Sequence, residues 1–234
     1  MANAAVVRFS WRGIGFAFWE AMKKDEASRR HRLALVGTAG AGVATLGAIV
    51  ARIGADEHWP IDHAVREQLR AQKRPRARAA LRAAGSAGTV GVYAPATLLA
   101  MWLVARRSGT HRALPIGGAM LGAAAVSWLL KRAIHRPRPV PVSRVVNERP
   151  SFPSGHATRA SAAAFTIAYV LVRERMVHRH LAFPLAGAIA AAVGVSRTYA
   201  DAHWTTDVIG GWAVGGATAA CAALCYEQLR EAIR

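Results

Sequence analysis

The sequence is poor in acid and in cysteine. Its 234 residues hold 13 Asp and Glu against 31 Lys and Arg, a formal charge of +18, and only two cysteines. Two thiols exclude a disulfide scaffold. Cys221 and Cys225 stand four apart inside an apolar run. That spacing suits packing within a helix better than a zinc site, which two thiols leave half built. No basic stretch is interleaved with aromatics as in a nucleic-acid module, so the excess of base points to membrane surfaces and not to nucleic acid. An apolar content of 53% excludes intrinsic disorder.

What is present is segregated. No charged residue occurs between Arg32 and Arg52, Arg82 and Arg106, Arg112 and Lys131, or Asp207 and Glu227. A helix needs roughly 20 apolar residues to cross about 30 Å of hydrocarbon, so the pattern predicts an all-α, polytopic membrane helical bundle. Six transmembrane helices are expected, at about 33–53, 86–105, 113–134, 157–173, 181–200 and 207–226. The fourth carries the weakest signal, being free of charge only from Ala160 to Val172, and the fifth is short and ends at Arg197. Short connections at 106–112 and 174–180 force antiparallel neighbours. Glycines such as Gly210, Gly211, Gly215 and Gly216 permit close helix approach in lipid.

Residues 1–32 are expected to form an interfacial segment. Arg8 and Arg12 interrupt any signal-peptide core. Phe9, Trp11, Phe16, Phe18 and Trp19 beside Lys23, Lys24, Arg29 and Arg30 suit a stretch lying on a membrane. Residues 33–234 are expected to form the membrane domain, with 54–82 an extramembrane amphipathic loop. Within that loop Asp62 is expected to cap a helix over about 63–72, and the seven basic residues from Arg66 to Arg82 to meet headgroups. Six spans put both termini on one side, where 15 Lys and Arg face 14 opposite, so charge does not orient the chain.

The chemistry-bearing residues fall at loop ends that span parity places on one membrane face. Lys131-Arg132-Ala-Ile-His135-Arg136-Pro137-Arg138-Pro139 follows the third span, Pro153-Ser154-Gly155-His156 opens the fourth, and Ser196 to Asp207 links the fifth and sixth. Lys131, Arg138 and Arg197 are fixed cations, and an arginine fork fits a pair of phosphate oxygens. Pro-Ser-Gly-His at a helix start offers free backbone N–H groups and a hydroxyl to an anion. His203 and Asp207 stand four apart, so the carboxylate can hold the imidazole Nδ1–H and leave Nε2 as a nucleophile. His156, from another helix, can protonate a departing oxygen. Together these residues spell phosphoryl transfer through a phosphohistidine.

The three segments, Lys-x6-Arg-Pro, Pro-Ser-Gly-His and Ser-Arg-x5-His-x3-Asp, resemble the signature of the type-2 phosphatidic acid phosphatase superfamily, shared with vanadium-dependent haloperoxidases. The resemblance covers roughly 113–226, and every motif position is filled. It implies that Lys131, Arg138, Ser154, Gly155 and Arg197 bind phosphate, that His156 is the general acid, that His203 attacks phosphorus and that Asp207 supports it. It also implies no metal and no cofactor. The membrane spans favour the integral-membrane lipid phosphatase branch over the soluble haloperoxidases. The expected substrate is a lipid phosphate, namely phosphatidate, phosphatidylglycerophosphate, or a polyprenyl phosphate or diphosphate. A non-enzymatic phospholipid-binding protein or transporter is the alternative, and the His–Asp spacing counts against it. The resemblance implies an inner-membrane protein with its site outside the cytoplasm and its termini inside.

Other positions read more blandly. Arg106, Arg107, Arg132, Arg173 and Arg175 suit snorkelling to headgroups. His31, His58, His63, His111, His178 and His180 suit solvent, Tyr199 and Trp204 suit interfacial anchors, and Trp128 and Trp212 suit packing. Arg144 and Arg149, with Arg132 and Arg136, make the loop after the third span basic. His135 and Arg136 fall between the fixed motif positions and receive no role. A metal site at Asp201 and His203 would lack further ligands.

Overall fold

The computed structural model describes residues 11–55, 59–71, 75–139 and 150–232. Residues 1–10, His58, Lys73, Arg74, Arg144 and Arg149 lie outside the described residues, as do the side chains of Trp11 to Asp25. Among the described residues the chain is all-helical. The order is α1 (Trp11–Ala55), α2 (Pro60–Ala71), α3 (Pro75–Ser86), α4 (Val90–Ser108), α5 (Thr110–Ala133), α6 (Gly155–Arg173), α7 (Arg179–Tyr199) and α8 (Thr205–Ala232). Helices α1, α5, α7 and α8 each contain a stretch long and apolar enough to cross a membrane; α3 and α4, bent by 48° at a short break, pass the same test together. The chain is therefore a multi-pass membrane protein, with four or five candidate spans among the described residues on length and composition alone.

Helix α6 covers the expected fourth span, and its surroundings account for the weak hydropathy signal there. It packs against α4, α5, α7 and α8 and is the hub of the bundle. Its Thr158, Ser161 and Thr166 are buried by protein. Hydropathy reports what a lipid-facing helix needs; one enclosed by other helices can carry hydroxyls that bond back to its own carbonyls, as Thr158 Oγ1 does to Ser154 O at 3.0 Å and Ser161 Oγ to Ala157 O at 2.7 Å. The lipid-facing side of the bundle has the opposite character, with Leu121, Leu98 and Leu181 exposed.

Residues 11–32 are the N-terminal part of the same unbroken helix that holds the first candidate span, Ser28–Ile53. At 45 residues α1 is about 68 Å long, well beyond the thickness of a hydrocarbon core. Its His31 does not face solvent as expected: Nε2 lies 2.7 Å from Tyr169 OH on α6. Arg173, expected to snorkel, instead pairs through Nε and Nη2 with Glu227 at 2.6 and 2.7 Å. At the same end of the bundle Glu174 accepts from Ser108, Arg112 and Tyr226. These contacts tie α1, α4, α5, α6 and α8 together opposite the motif-bearing end.

Helix α2 begins at Pro60, three residues before the expected start, and Asp62 sits inside its first turn instead of capping it. The Asp62 carboxylate is buried and is used elsewhere, as described below. The aromatic expectations also exchange places. Trp204 and Tyr199 are buried, while Trp128 is 54% exposed beneath the Arg132 guanidinium. Trp212 packs as expected, its Nε1 donating to Ala190 O at 3.0 Å.

Candidate active site

The three motif segments converge at one end of α5 to α8. Lys131, in the last turn of α5, donates to Pro150 O at 2.8 Å and to Ser151 O at 3.3 Å, which leads the following chain back over the helix end. Ser151 returns a backbone bond to Arg136 O at 2.8 Å. The Phe152–Pro153 peptide is cis, and Ser154 follows as the residue before α6. Ser154 N donates to Asp207 O at 2.9 Å, so the α6 and α8 N-termini touch. Ser154 Oγ is fully buried, with no hydrogen-bond partner among the described residues. The first-turn N–H groups of α6 lie beside it.

Helix α7 ends at Tyr199, two residues after Arg197. Asp201 adopts φ 54°, Ala202 N donates to Arg197 O at 3.1 Å and Asp201 N to Thr198 O at 3.0 Å. This is a Schellman closure with Asp in the position glycine usually takes. The reversal returns the chain to the centre of the site, where His203 is buried. Its Nδ1 stands 3.4 Å from Asp207 Oδ2, long for a hydrogen bond. Its Nε2 stands 3.5 Å from Nη1 of Arg138, which also donates to Ala202 O at 2.7 Å. Burial, against the pull of Asp207, holds His203 below its ordinary value. His156 is pushed down to about 4, first by burial, then by Arg197 and Arg159, with His203 and Arg138 adding to the effect.

Every residue expected at the site is thus gathered there: Lys131, Arg138, Ser154, Gly155, His156, Arg197, His203 and Asp207. Four residues with no expected part in the site join them. Arg136 and Asp62 form a buried ion pair beside Asp207, at 2.8 Å. Arg159, one turn into α6, lies over the Tyr93 ring at 5.5 Å. Arg66 does not reach for headgroups; it bonds Asp201 Oδ1 at 3.0 Å and Pro139 O at 2.8 Å. A position two residues before Arg138 gives no sign of its role in a pattern read at fixed offsets, and Asp62 lies far upstream of all three segments.

An apolar groove of about 290 Å³ runs from this end down between α4, α6 and α7. Tyr93, Ala160, Ala164, Ile167 and Leu171 line it. Ala160 is one turn along α6 from His156, so the groove meets the site on the His156 side. Among the described residues, no three His, Cys, Asp or Glu side chains come together as metal ligands do.

A membrane helical bundle with a buried His–Asp pair ringed by lysine and arginine at one end defines a class, and the comparisons give it a family. Residues 112–231 match the PAP2 superfamily model, and the chain belongs to that superfamily. A stretch of 90 residues is 40% identical to phosphatidylglycerophosphatase B of Bacillus subtilis strain 168, covering 37% of this chain and 44% of that protein. The chain thus matches less than half the length of this relative. The fold resembles that of a transmembrane PAP2-type phosphatidylglycerolphosphate phosphatase from Bacillus subtilis, with a TM-score of 0.72, 24% identity, and coverage of 84% of this chain and 98% of that one. It resembles LpxE of Aquifex aeolicus at TM-score 0.54 and 22% identity, over 75% of this chain and 98% of that one.

Proposed function

We propose that this protein is a metal-independent membrane lipid phosphatase that hydrolyses a phosphate monoester or diphosphate through a phosphohistidine. The observation that carries the reading is the buried His203–Asp207 pair beside Lys131 and Arg138, with an apolar groove that begins one helical turn from His156. His203 Nε2 attacks phosphorus, and the bond from phosphorus to the ester oxygen breaks. The His156 N–H transfers its proton to that oxygen, and the lipid alcohol departs on the side of the groove. Water then attacks the phosphohistidine, gives its proton back to His156 and releases inorganic phosphate. Lys131, Arg138, Arg197, Ser154 Oγ and the Gly155 N–H hold the phosphoryl oxygens as charge develops on them. Asp207 keeps the proton on His203 Nδ1 and offsets the cationic intermediate; such contacts tighten when the reacting group is in place.

The low value of His156 in the free site fits this role. Burial first, and then the surrounding cations, hold it down; an incoming dianion opposes the cations and so favours the charged acid as the substrate binds. The relatives named above favour phosphatidylglycerophosphate among the lipid monophosphates, and the extra Arg159 favours headgroups with a second negative charge. We place six spans in the membrane by counting the α3–α4 bend as one and α6 as another, which sets the site on the face opposite both termini. By the family resemblance that face lies outside the cytoplasm in a cell inner membrane.

The test is phosphate release by purified protein in detergent from phosphatidylglycerophosphate, phosphatidate and undecaprenyl diphosphate, with His203→Ala beside the parent. His203→Ala is expected to lose at least about a thousandfold in kcat, and chelator is expected to leave the parent rate unchanged. Release that survives His203→Ala would sink the phosphohistidine.

A further inference from the structure

The buried ion pair beside the nucleophile belongs to no motif position and comes in part from the loop helix α2. Arg136 and Asp62 are almost fully enclosed. Arg136 Nη1 donates to Asp207 Oδ1 at 2.8 Å and to Thr206 Oγ1 at 2.7 Å, and Nη2 donates to Asp62 Oδ2 at 2.8 Å. Asp62 Oδ1 accepts the Thr206 N–H at 2.8 Å, and Oδ2 accepts Thr206 Oγ1 at 2.7 Å. Asp207 Oδ2, the oxygen that faces His203, is further held by the Trp204 N–H at 2.9 Å. Trp204 is itself fixed by its Nε1 bond to Pro137 O at 2.9 Å and lies under both the Arg66 and Arg136 guanidinium groups.

We propose that Arg136 and Asp62 are positioning residues for His203: the guanidinium grips the far oxygen of Asp207, and Asp62 fixes the guanidinium and the first turn of α8. The proposal rests on the phosphohistidine reading of the site. Two physical points support it. A carboxylate with one oxygen locked by an arginine and the other by a backbone N–H presents a single orientation to the imidazole, which is what an orienting group must do. An arginine between two carboxylates also leaves the cluster with a net negative charge. Without Asp62 the Arg136 charge would cancel that of Asp207, and the positive imidazole of the intermediate would lose its support. Buried charges are seldom kept for stability alone, since apolar replacements of the same shape often hold a fold as well.

The charged and titratable groups facing His203 come from every neighbouring element. They are Lys131 from α5, Arg136 and Arg138 from the following segment, His156 and Arg159 from α6, Arg197 from α7, Asp207 from α8, and Asp62 from α2. Removing the charge of Asp62 takes one negative group from this set and leaves the cations in place, so the conjugate acid of His203 weakens and its nucleophilicity falls with it.

The experiment compares the purified parent with Asp62→Asn, Arg136→Lys and His203→Ala on phosphatidylglycerophosphate in detergent, measuring kcat, KM, the pH profile of kcat/KM and thermal unfolding. Asp62→Asn keeps the shape and the acceptor for Thr206. It is expected to lower kcat at least about tenfold with KM within about threefold, and to move the acid limb of kcat/KM to lower pH. Arg136→Lys keeps the charge but loses the fork, and is expected to lower kcat with no shift of that limb. Unchanged kcat and pH limb in folded Asp62→Asn overturns the proposal. So does a loss that only tracks the folded fraction in both variants. Should Asp62→Asn not fold, parent-like kcat in Arg136→Lys overturns it. Activity in His203→Ala would instead overturn the underlying reading, so the two failures are distinct.

Discussion

His203 and His156 are both neutral at rest, and for different ends. Burial lowers His203 against the pull of Asp207, so its imidazole stays unprotonated below the ordinary histidine range near pH 6.5. The acid limb of the parent kcat/KM is accordingly expected below pH 6.5; an acid limb centred above 6.5 would contradict the burial described. For His156, burial and three arginines give a value of about 4, and an anion in the pocket opposes the arginines. Sulfate is a dianion throughout this range, so its binding at pH 5.5 is expected to draw protons from the buffer. Calorimetry in buffers of different ionisation enthalpy reads that uptake, and His156→Ala should abolish it. Equal enthalpies in all buffers for the parent would show that the arginines do not govern His156. The same depression fixes a sign for stability: the unfolded chain holds more protons between pH 6.5 and about 4, so the fold loses stability on acidification through that window.

At the scale of elements, two close approaches set the site's walls. Gly85, near the end of α3, lies so near α7 that a Cβ there would fall on the Arg197 guanidinium and 2.8 Å from Ser196 Oγ. Gly85→Ala is expected to push Arg197 off the phosphate position and cost about 10- to 100-fold in kcat/KM, with thermal unfolding nearly unchanged. Gly91→Ala, which meets nothing within 4 Å, is the silent control. Across the α6–α8 contact, a Cβ on Gly215 would fall on Ser161 Oγ and 2.6 Å from Thr158 O. Backbone cannot yield as a side chain does, so Gly215→Ala is expected to destabilise the bundle by about 1–3 kcal/mol. Gly216→Ala, with open space around it, should be tolerated. Thermal denaturation in detergent separates the pair, and equal midpoints would refute the close packing.

These elements also show what a sequence can carry. The motif residues were legible because each group is bound by short offsets, three in Pro-Ser-Gly-His and four from His203 to Asp207, which local helix geometry turns directly into proximity. Arg136 and Asp62 were not, because they meet across 74 positions of chain and no periodicity reports such a meeting. Arg66 and Arg173 read as headgroup contacts because a basic residue near a span end looks the same whether it faces lipid or an acid on another helix. Trp204 and Trp128 exchanged their expected places for the same reason. Helix α6 carries only a faint hydropathy signal because its surroundings are protein.

For the whole molecule, the scarcity of acid acquires a meaning. Asp62, Glu174, Asp201, Asp207 and Glu227 each bind an arginine inside or beside the bundle, so acid serves to lock helices and the remaining base is left for the surface and the anion pocket. Whether α6 crosses decides the topology. Arg107 and Ala200 are both exposed, and three helices separate them if α6 spans, two if it does not. With Cys221 and Cys225 replaced by Ala, single cysteines at Arg107 and Ala200 are expected to react with impermeant maleimide from opposite sides of sealed vesicles. Labelling from one side would return the count to five.

The bond from Thr206 to Asp62 reaches across 144 residues of chain, and this sets an order in time. A ribosome adding about 5–20 residues per second makes Asp62 on the order of ten seconds before its α8 partner exists. Through that interval the carboxylate can wait only in water or headgroups, which requires α2 to be delivered outside the hydrocarbon before the last helix inserts. The site is then completed by α8, so it stays unassembled until that helix has been made.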